Sequence, residues 1–165
     1  MSRREWQDIF EEVTGELVED YGDDWIIEFD DTIEAYKPAR DWYQYIRGAF
    51  ARFRCSKCGK TWPSRRVLVV FHFRLSRKSR RGTVKFRPFR QECRTCRDAE
   101  MEKPKFAPDN IEALLQKVEE RIRVRCYREN WDDGHVPLRP VGRSEGPHEA
   151  AHCEACRRGV CRQSE

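Results

Sequence analysis

Leucine is scarce in this chain of 165 residues, and long apolar runs are missing altogether. Leu, Ile, Val and Phe together make up a fifth of the residues against 38% charged, and the mean hydropathy is −0.92. That composition borders on the range in which aliphatic burial fails to offset chain entropy. The longest apolar stretch, Val67–Phe71, falls far short of the roughly 20 residues that cross a bilayer, so no transmembrane segment is expected. The opening MSRREWQDIFEE has no apolar core or small-residue cleavage site, so no secretory leader is expected either. The cysteines are then expected in a reducing compartment, where pairs of them are more often metal ligands than disulfides. Catalytic signatures are also missing: there is no HExxH, no glycine-rich phosphate loop and no GxSxG. Glu154, between Cys153 and Cys156, resembles the acid of zinc deaminases only superficially, because the HxE element ahead of a PCxxC is lacking. A non-enzymatic protein is expected.

Aromatics at 12% and eight cysteines are what the chain has in place of aliphatic bulk. Both hold a thin core together, so a single domain braced by a metal or a cross-link is expected. Charge is unevenly spread. Residues 1–50 carry 5 basic and 14 acidic residues, residues 51–100 carry 16 and 3, and the remainder 12 and 12. Contrast of that size faces either a partner or another part of the same molecule.

Trp6, Ile9, Phe10, Val13 and Leu17 recur at helical spacing and predict one amphipathic helix ending before Gly22. Trp25–Phe29 predicts a short strand, and Trp42, Tyr43, Ile46 and Phe50 suggest a second short helix leading into the first cysteine pair. The runs Val67–Leu75 and Thr83–Phe89, joined by SRKSRRG, predict a β-hairpin with a long loop. Asp109 as N-cap with Glu112 three residues on, followed by the stripe Ile111, Leu114, Leu115, Val118 and Ile122, predicts a helix to about Tyr127. Residues 130–148, rich in proline, glycine and charge, are expected to be a linker.

Three CxxC pairs stand out: Cys55/Cys58, Cys93/Cys96 and Cys153/Cys156. A two-residue gap turns both thiolates toward one Zn²⁺, and four such ligands close a tetrahedral shell. Antiparallel pairing of the hairpin returns Cys93 toward Cys58, so a first zinc is expected at Cys55, Cys58, Cys93 and Cys96, with a structural role. A second is expected at His148, Cys153 and Cys156, with Cys126 or Cys161 as fourth ligand, giving two Zn²⁺ per chain. His152 sits beside Cys153 and turns inward less easily. Taken alone, Cys126 reads equally as a buried packing thiol, and His72 as a hydrogen-bonded strand histidine.

DWYQYIRGAFARFRCSKCGKTW, VLVVFHF, VKFRPFRQECRTC, the helix and GPHEAAHCEAC, in this order, resemble the 3CxxC zinc-binding domain of the receptor-transporting proteins over nearly the whole chain. The resemblance supports Cys55, Cys58, Cys93, Cys96, Cys153, Cys156 and His148 as zinc ligands, and matches the family's strand histidine with His72. It implies a chaperone or adaptor for trafficking G-protein-coupled chemosensory receptors, olfactory and taste receptors above all, to the plasma membrane. The place of action would be cytoplasmic, at the cytosolic face of secretory-pathway and plasma membranes. Family members commonly end in a C-terminal hydrophobic anchor, which the terminal RQSE does not match. Some members are associated with antiviral defence through RNA, and zygote arrest proteins, with a similar cysteine arrangement, are associated with messenger RNA.

That second association fits an RNA-binding zinc-finger alternative with an antiviral or mRNA-regulatory role. Arg74, Arg77, Lys78, Arg80, Arg81, Lys85, Arg87 and Arg90 lie in a segment without an acidic residue, interleaved with Phe73, Phe86 and Phe89. Such a run is a solvated face, an RNA platform or a dock for an anionic membrane surface. The expected architecture is a small zinc-stabilised α+β domain: a β-hairpin with CxxC knuckles packed on two or three helices. Residues 1–50 form its acidic helical part. Residues 51–165 form the zinc-binding part, with the basic hairpin (51–100), the helix (109–127) and the C-terminal knuckle (148–161).

Overall fold

A computed structural model describes residues 3–129. The C-terminal knuckle, with His148, Cys153, Cys156 and Cys161, lies outside the described residues. Three helices pack on one face of a four-stranded sheet: α1 (Arg3–Val13), α2 (Gly15–Tyr21), β1 (Asp24–Phe29), β2 (Tyr43–Arg54), β3 (Thr61–Ser76), β4 (Arg81–Pro88) and α3 (Pro108–Cys126). The strand order is β1-β4-β3-β2, with β1 parallel to β4 and the other pairs antiparallel. The α+β class holds, but the hairpin is the centre of a larger mixed sheet.

The N-terminal stripe divides at Thr14. Its hydroxyl shares the Phe10 carbonyl with its own amide (2.8 and 2.9 Å), and Gly15 follows, so one expected helix becomes α1 and α2. Trp6, Phe10 and Leu17 are buried as the spacing requires. Gly22 closes α2 in the left-handed region, φ 70°, with its amide on the Val18 carbonyl.

The expected helix over Trp42–Phe50 is instead the first part of β2. Tyr, Ile and Phe favour a pleated, half-buried surface, and Gly48 weakens a helix by about 1 kcal/mol. Gly48 also lies under the Arg66 side chain, whose Cγ would stand 2.7 Å from an added Cβ. Residues 1–50 therefore contribute β1 and most of β2 as well as two helices. The long hairpin loop shrinks, because β3 and β4 stay paired as far as Ser76 and Arg81. Asp109 lies inside α3 rather than capping it. Ala107 is the N-cap and Pro108 opens the helix, where a missing N–H costs nothing.

The two sheet faces differ. On one, Trp25, Ile27, Val69, Phe71, Phe73, Val84 and Phe86 meet Trp6, Phe10 and the buried stripe of α3. Trp6 stacks on Phe86, ring centroids 4.3 Å apart. Over the other, the chain between β1 and β2 crosses from one edge of the sheet to the opposite edge. Its Ile33 and Ala35 pack against the small cluster of Leu68, Val70 and Phe89.

Candidate metal centre

The two CxxC knuckles meet at the end of the sheet where β2 passes into β3 and β4 ends. Cys55 and Cys58 fill that turn. The Cys55 amide donates to the Lys60 carbonyl (2.8 Å) and the Gly59 amide to the Cys55 carbonyl (2.9 Å), with Gly59 at φ 73°. A glycine suits that left-handed position because a Cβ is strained there. The second knuckle sits in a loop closed at its base by the Gln91–Glu102 bridge, with amide-to-carbonyl distances of 3.2 and 2.7 Å.

Side chains then tie one knuckle to the other. Glu102 Oε2 accepts from the Ser56 amide (2.6 Å) and hydroxyl (2.8 Å), and the Lys57 ammonium reaches the Asp98 carbonyl. Gln91 anchors the base to β3, accepting from Trp62 Nε1 (3.0 Å) and donating to Ser64 Oγ (3.1 Å). Ser56, Gln91, Thr95 and Glu102 were not legible as parts of the site, since only their closeness to a cysteine pair marks them.

The four sulfurs of Cys55, Cys58, Cys93 and Cys96 lie within 4.8 Å of one another, with Cys55–Cys96 at 3.7 Å and Cys58–Cys93 at 3.8 Å. A tetrahedron with Zn–S bonds of about 2.3 Å has edges of about 3.8 Å, so the cluster fits a four-thiolate zinc shell. Cys55 and Cys93 are buried, Cys96 is half-buried and Cys58 is exposed. The Thr95 hydroxyl, 3.2 Å from Cys93 Sγ, and the Thr95 amide pull the Cys93 thiol down to about 6. The Cys58 and Cys55 sulfurs push Cys96 up to about 12. Without metal the cluster therefore retains protons, which zinc binding displaces. A shell of four sulfurs leaves no open position for water or substrate, and its chemistry is cross-linking.

The other candidate ligands stand elsewhere. Cys126, at the end of α3, is 4% exposed and its thiol is pushed up to about 11 by burial. It lies near Leu75 and Arg77, at the hairpin end of the sheet, opposite the knuckles. His72 is on the other sheet face, 3% exposed. Its Nε2 donates to Gln44 Oε1 (3.1 Å), which also accepts from the Tyr36 amide. Cys126 and His72 thus face opposite sides of the sheet and do not share an ion. Among the described residues, the four-cysteine cluster is the one grouping of metal-ligand side chains that fits an ion.

Of the eight basic hairpin residues, five are engaged within the chain. Arg77 donates to the Cys126 carbonyl, and Arg80 meets Asp23 (3.4 Å) and the Tyr21 carbonyl. Lys85 pairs with Asp30 (3.3 Å) beneath the Trp42 ring. Arg87, 6% exposed, donates to the Ile33 carbonyl (2.9 Å), and Arg90 pairs with Asp31. Arg74, Lys78 and Arg81 are exposed, with no ion pair among the described residues. Part of the acid–base contrast along the chain is thus satisfied internally, by Asp23, Asp30 and Asp31 of the acidic end against Arg80, Lys85, Arg87 and Arg90.

Among the described residues no helix is long and apolar enough to cross a membrane. No solved structure matches the chain. A family model of a 3CxxC zinc ribbon, described as a zinc-binding domain, matches residues 48–159. Mouse receptor-transporting protein 3 is 40% identical over 125 residues, 75% of this chain and 26% of its own length. Mouse receptor-transporting protein 2 is 34% identical over 159 residues, 94% of this chain and 69% of its own, and human receptor-transporting protein 1 is 33% identical, with 59% of its length spanned. The chain thus spans between a quarter and about two thirds of these relatives. Zinc-ribbon match, four-sulfur geometry and relatives aligned over most of the chain agree, and the chain belongs to the receptor-transporting protein family.

Proposed function

We propose that this chain is a non-catalytic, zinc-stabilised accessory protein that promotes delivery of G-protein-coupled chemosensory receptors to the plasma membrane, acting from the cytosolic side. The observation that carries the reading is the alignment of 94% of the chain with mouse receptor-transporting protein 2, across the segment that builds the closed four-cysteine cluster. A closed structural zinc suits an adaptor, because it rigidifies a surface without offering a reactive coordination site. A second zinc, held by His148, Cys153 and Cys156 with Cys126 or Cys161, completes the proposal.

The test is surface staining of a co-expressed odorant-type receptor, comparing the chain with Cys93→Ser, each with and without an added C-terminal membrane anchor. Native mass spectrometry of the same proteins counts zinc. A rise in surface receptor that depends on Cys93, with two zinc ions in the parent and one fewer in the variant, is expected. No rise in any version overturns receptor delivery, and a parent holding a single zinc overturns the second site.

A further inference from the structure

The acidic segments neutralise much of the hairpin, yet another basic strip lies beside the zinc knuckles. Along β2, Ala51 and Phe53 are buried while Phe50, Arg52 and Arg54 are exposed, so the last three share the face away from the helices. Lys105 joins them: its amide and carbonyl exchange hydrogen bonds with those of Arg52 (2.7 and 2.9 Å), and residues so paired project to the same side. Arg66 lies across Gly48 on this face. The crossover chain covers the sheet at Val70 and Leu68, where Ile33 and Ala35 pack.

Arg52, Arg54, Arg66 and Lys105 make no ion pair among the described residues, in contrast to Arg80, Lys85, Arg87 and Arg90. Two carboxylates of the knuckle loop, Glu100 and Glu102, are turned to Ser56. Uncompensated guanidinium and ammonium groups on a sheet face, with one exposed aromatic among them, concentrate positive potential there.

We propose that this strip, Phe50, Arg52, Arg54, Arg66 and Lys105, docks the domain on an anionic lipid surface, the cations against headgroup phosphate and carboxylate and Phe50 in the interfacial layer. The proposal rests on the receptor-delivery reading only for its setting, a protein that works at membranes. Single-stranded nucleic acid fits the strip less well, because it is held by a series of stacking aromatics along a groove. Here Phe50 is the single large aromatic exposed on the strip, while Phe53 stacks on Trp62 toward the opposite face.

The test is co-sedimentation of the full chain with phosphatidylcholine vesicles and with vesicles containing 30% phosphatidylserine. The parent is expected to bind the second kind alone and to be released by salt. Each cation near the surface carries about fivefold in partitioning. Arg52→Ser/Arg54→Ser/Lys105→Ser should therefore bind about a hundredfold more weakly, while the charge-preserving Arg52→Lys/Arg54→Lys stays near parental. Zinc content read on every variant confirms the fold. Phe50→Ala should weaken binding severalfold without changing its salt dependence. Arg74→Ser/Lys78→Ser/Arg81→Ser should bind as the parent does, because Arg74, the nearest of them along β3, stands about 26 Å beyond Arg66, well past the screening length in salt.

Loss of binding in the hairpin variant, or retention in the strip variant, overturns the assignment. A parent that ignores the vesicles but binds a 20-nucleotide oligouridine overturns it in favour of RNA. A chain that delivers receptor without binding vesicles sinks the docking strip and leaves the delivery reading standing.

Discussion

Gly82→Ala, a change of one methyl group, is expected to be among the most damaging small substitutions in the chain. Gly82, the second residue of β4, stands opposite Trp25 of the parallel strand β1, and the indole lies flat over the glycine. A Cβ added there would stand 2.2 to 2.3 Å from three ring atoms. Carbon atoms settle at about 3.5–4.0 Å, so the indole must withdraw by roughly 1.5 Å. It has little room, being 6% exposed. Withdrawal breaks the bond from Trp25 Nε1 to Tyr127 Oη (3.0 Å), and with it the support for the Tyr127 hydroxyl that donates to Asp23 (2.7 Å). Overpacking costs about 1–3 kcal/mol and a lost hydrogen bond about 1, so a loss of about 2–4 kcal/mol is expected. Against a domain stability of about 5–15 kcal/mol this is a large fraction. Urea unfolding followed by tryptophan fluorescence measures it. Trp25→Leu should recover part of the loss in the double variant, a positive coupling that identifies the clash. If Gly82→Ala unfolds within 0.5 kcal/mol of the parent, the account of this packing is wrong.

His72 is held below its ordinary pKa by burial, with Lys85 adding to the shift and Asp30 opposing it. Its unfolded form then binds a proton that the folded form refuses, so stability falls as pH drops below about 6.5 toward the folded pKa, by at most about 1.4 kcal/mol per unit. His72→Gln should flatten that slope in urea titrations between pH 7.5 and 5; an unchanged slope refutes the assignment. Arg123, 7% exposed, pairs with Glu119 one turn back on α3 (2.5 Å) and ties the helix to Asp20 of α2 (3.1 Å) and to Glu129 (2.9 Å). Arg123→Met should cost about 2 kcal/mol, after allowing for the exposure of Asp20, because hydrogen bonds to charged groups carry about 1.5–3 kcal/mol. Thermal unfolding checks it, and a neutral result means the ion pairs contribute nothing net.

The first zinc cluster was legible because CxxC spacing is a local property and the intervening hairpin is short enough to close by pairing. Trp6, Phe10 and the α3 stripe were legible for the same reason, since a period of 3.6 needs no partner to be read. β2 was misread because Trp42, Tyr43, Ile46 and Phe50 also fit a helical period over a short window, and only pairing with β3 decides between the two. The crossover of residues 30–42 is polar and aperiodic. Its place on the sheet depends on Ile33 and Ala35 and on the ion pairs of Asp30 with Lys85 of β4 and of Asp31 with Arg90 just past it, more than 50 positions away. No local pattern encodes contacts at that separation. Ser56 and Glu102 likewise meet only after the sheet has formed.

Charge pairing across the sheet face leads to one more expectation. Thr32 through its hydroxyl and amide, with Lys85 beyond, holds the Asp30 carboxyl below its usual range, so Asp30 stays ionised opposite Lys85 at every pH near neutral. Asp31 does the same service for Arg90 and stands 3.8 Å from Arg87. Asp30→Asn/Asp31→Asn removes two negative charges from a face where three cations remain. Half-exposed pairs of this kind contribute about 0.2–1 kcal/mol each, so the fold should survive with a loss of about 1–2 kcal/mol. Affinity for polyanions should rise instead. On a heparin column the double variant should elute at higher salt than the parent, and adding Arg90→Ser should reverse part of the shift. Equal elution of parent and variant would mean that the acidic crossover does not mask the hairpin, and that the contrast between the knuckle strip and the hairpin has another origin.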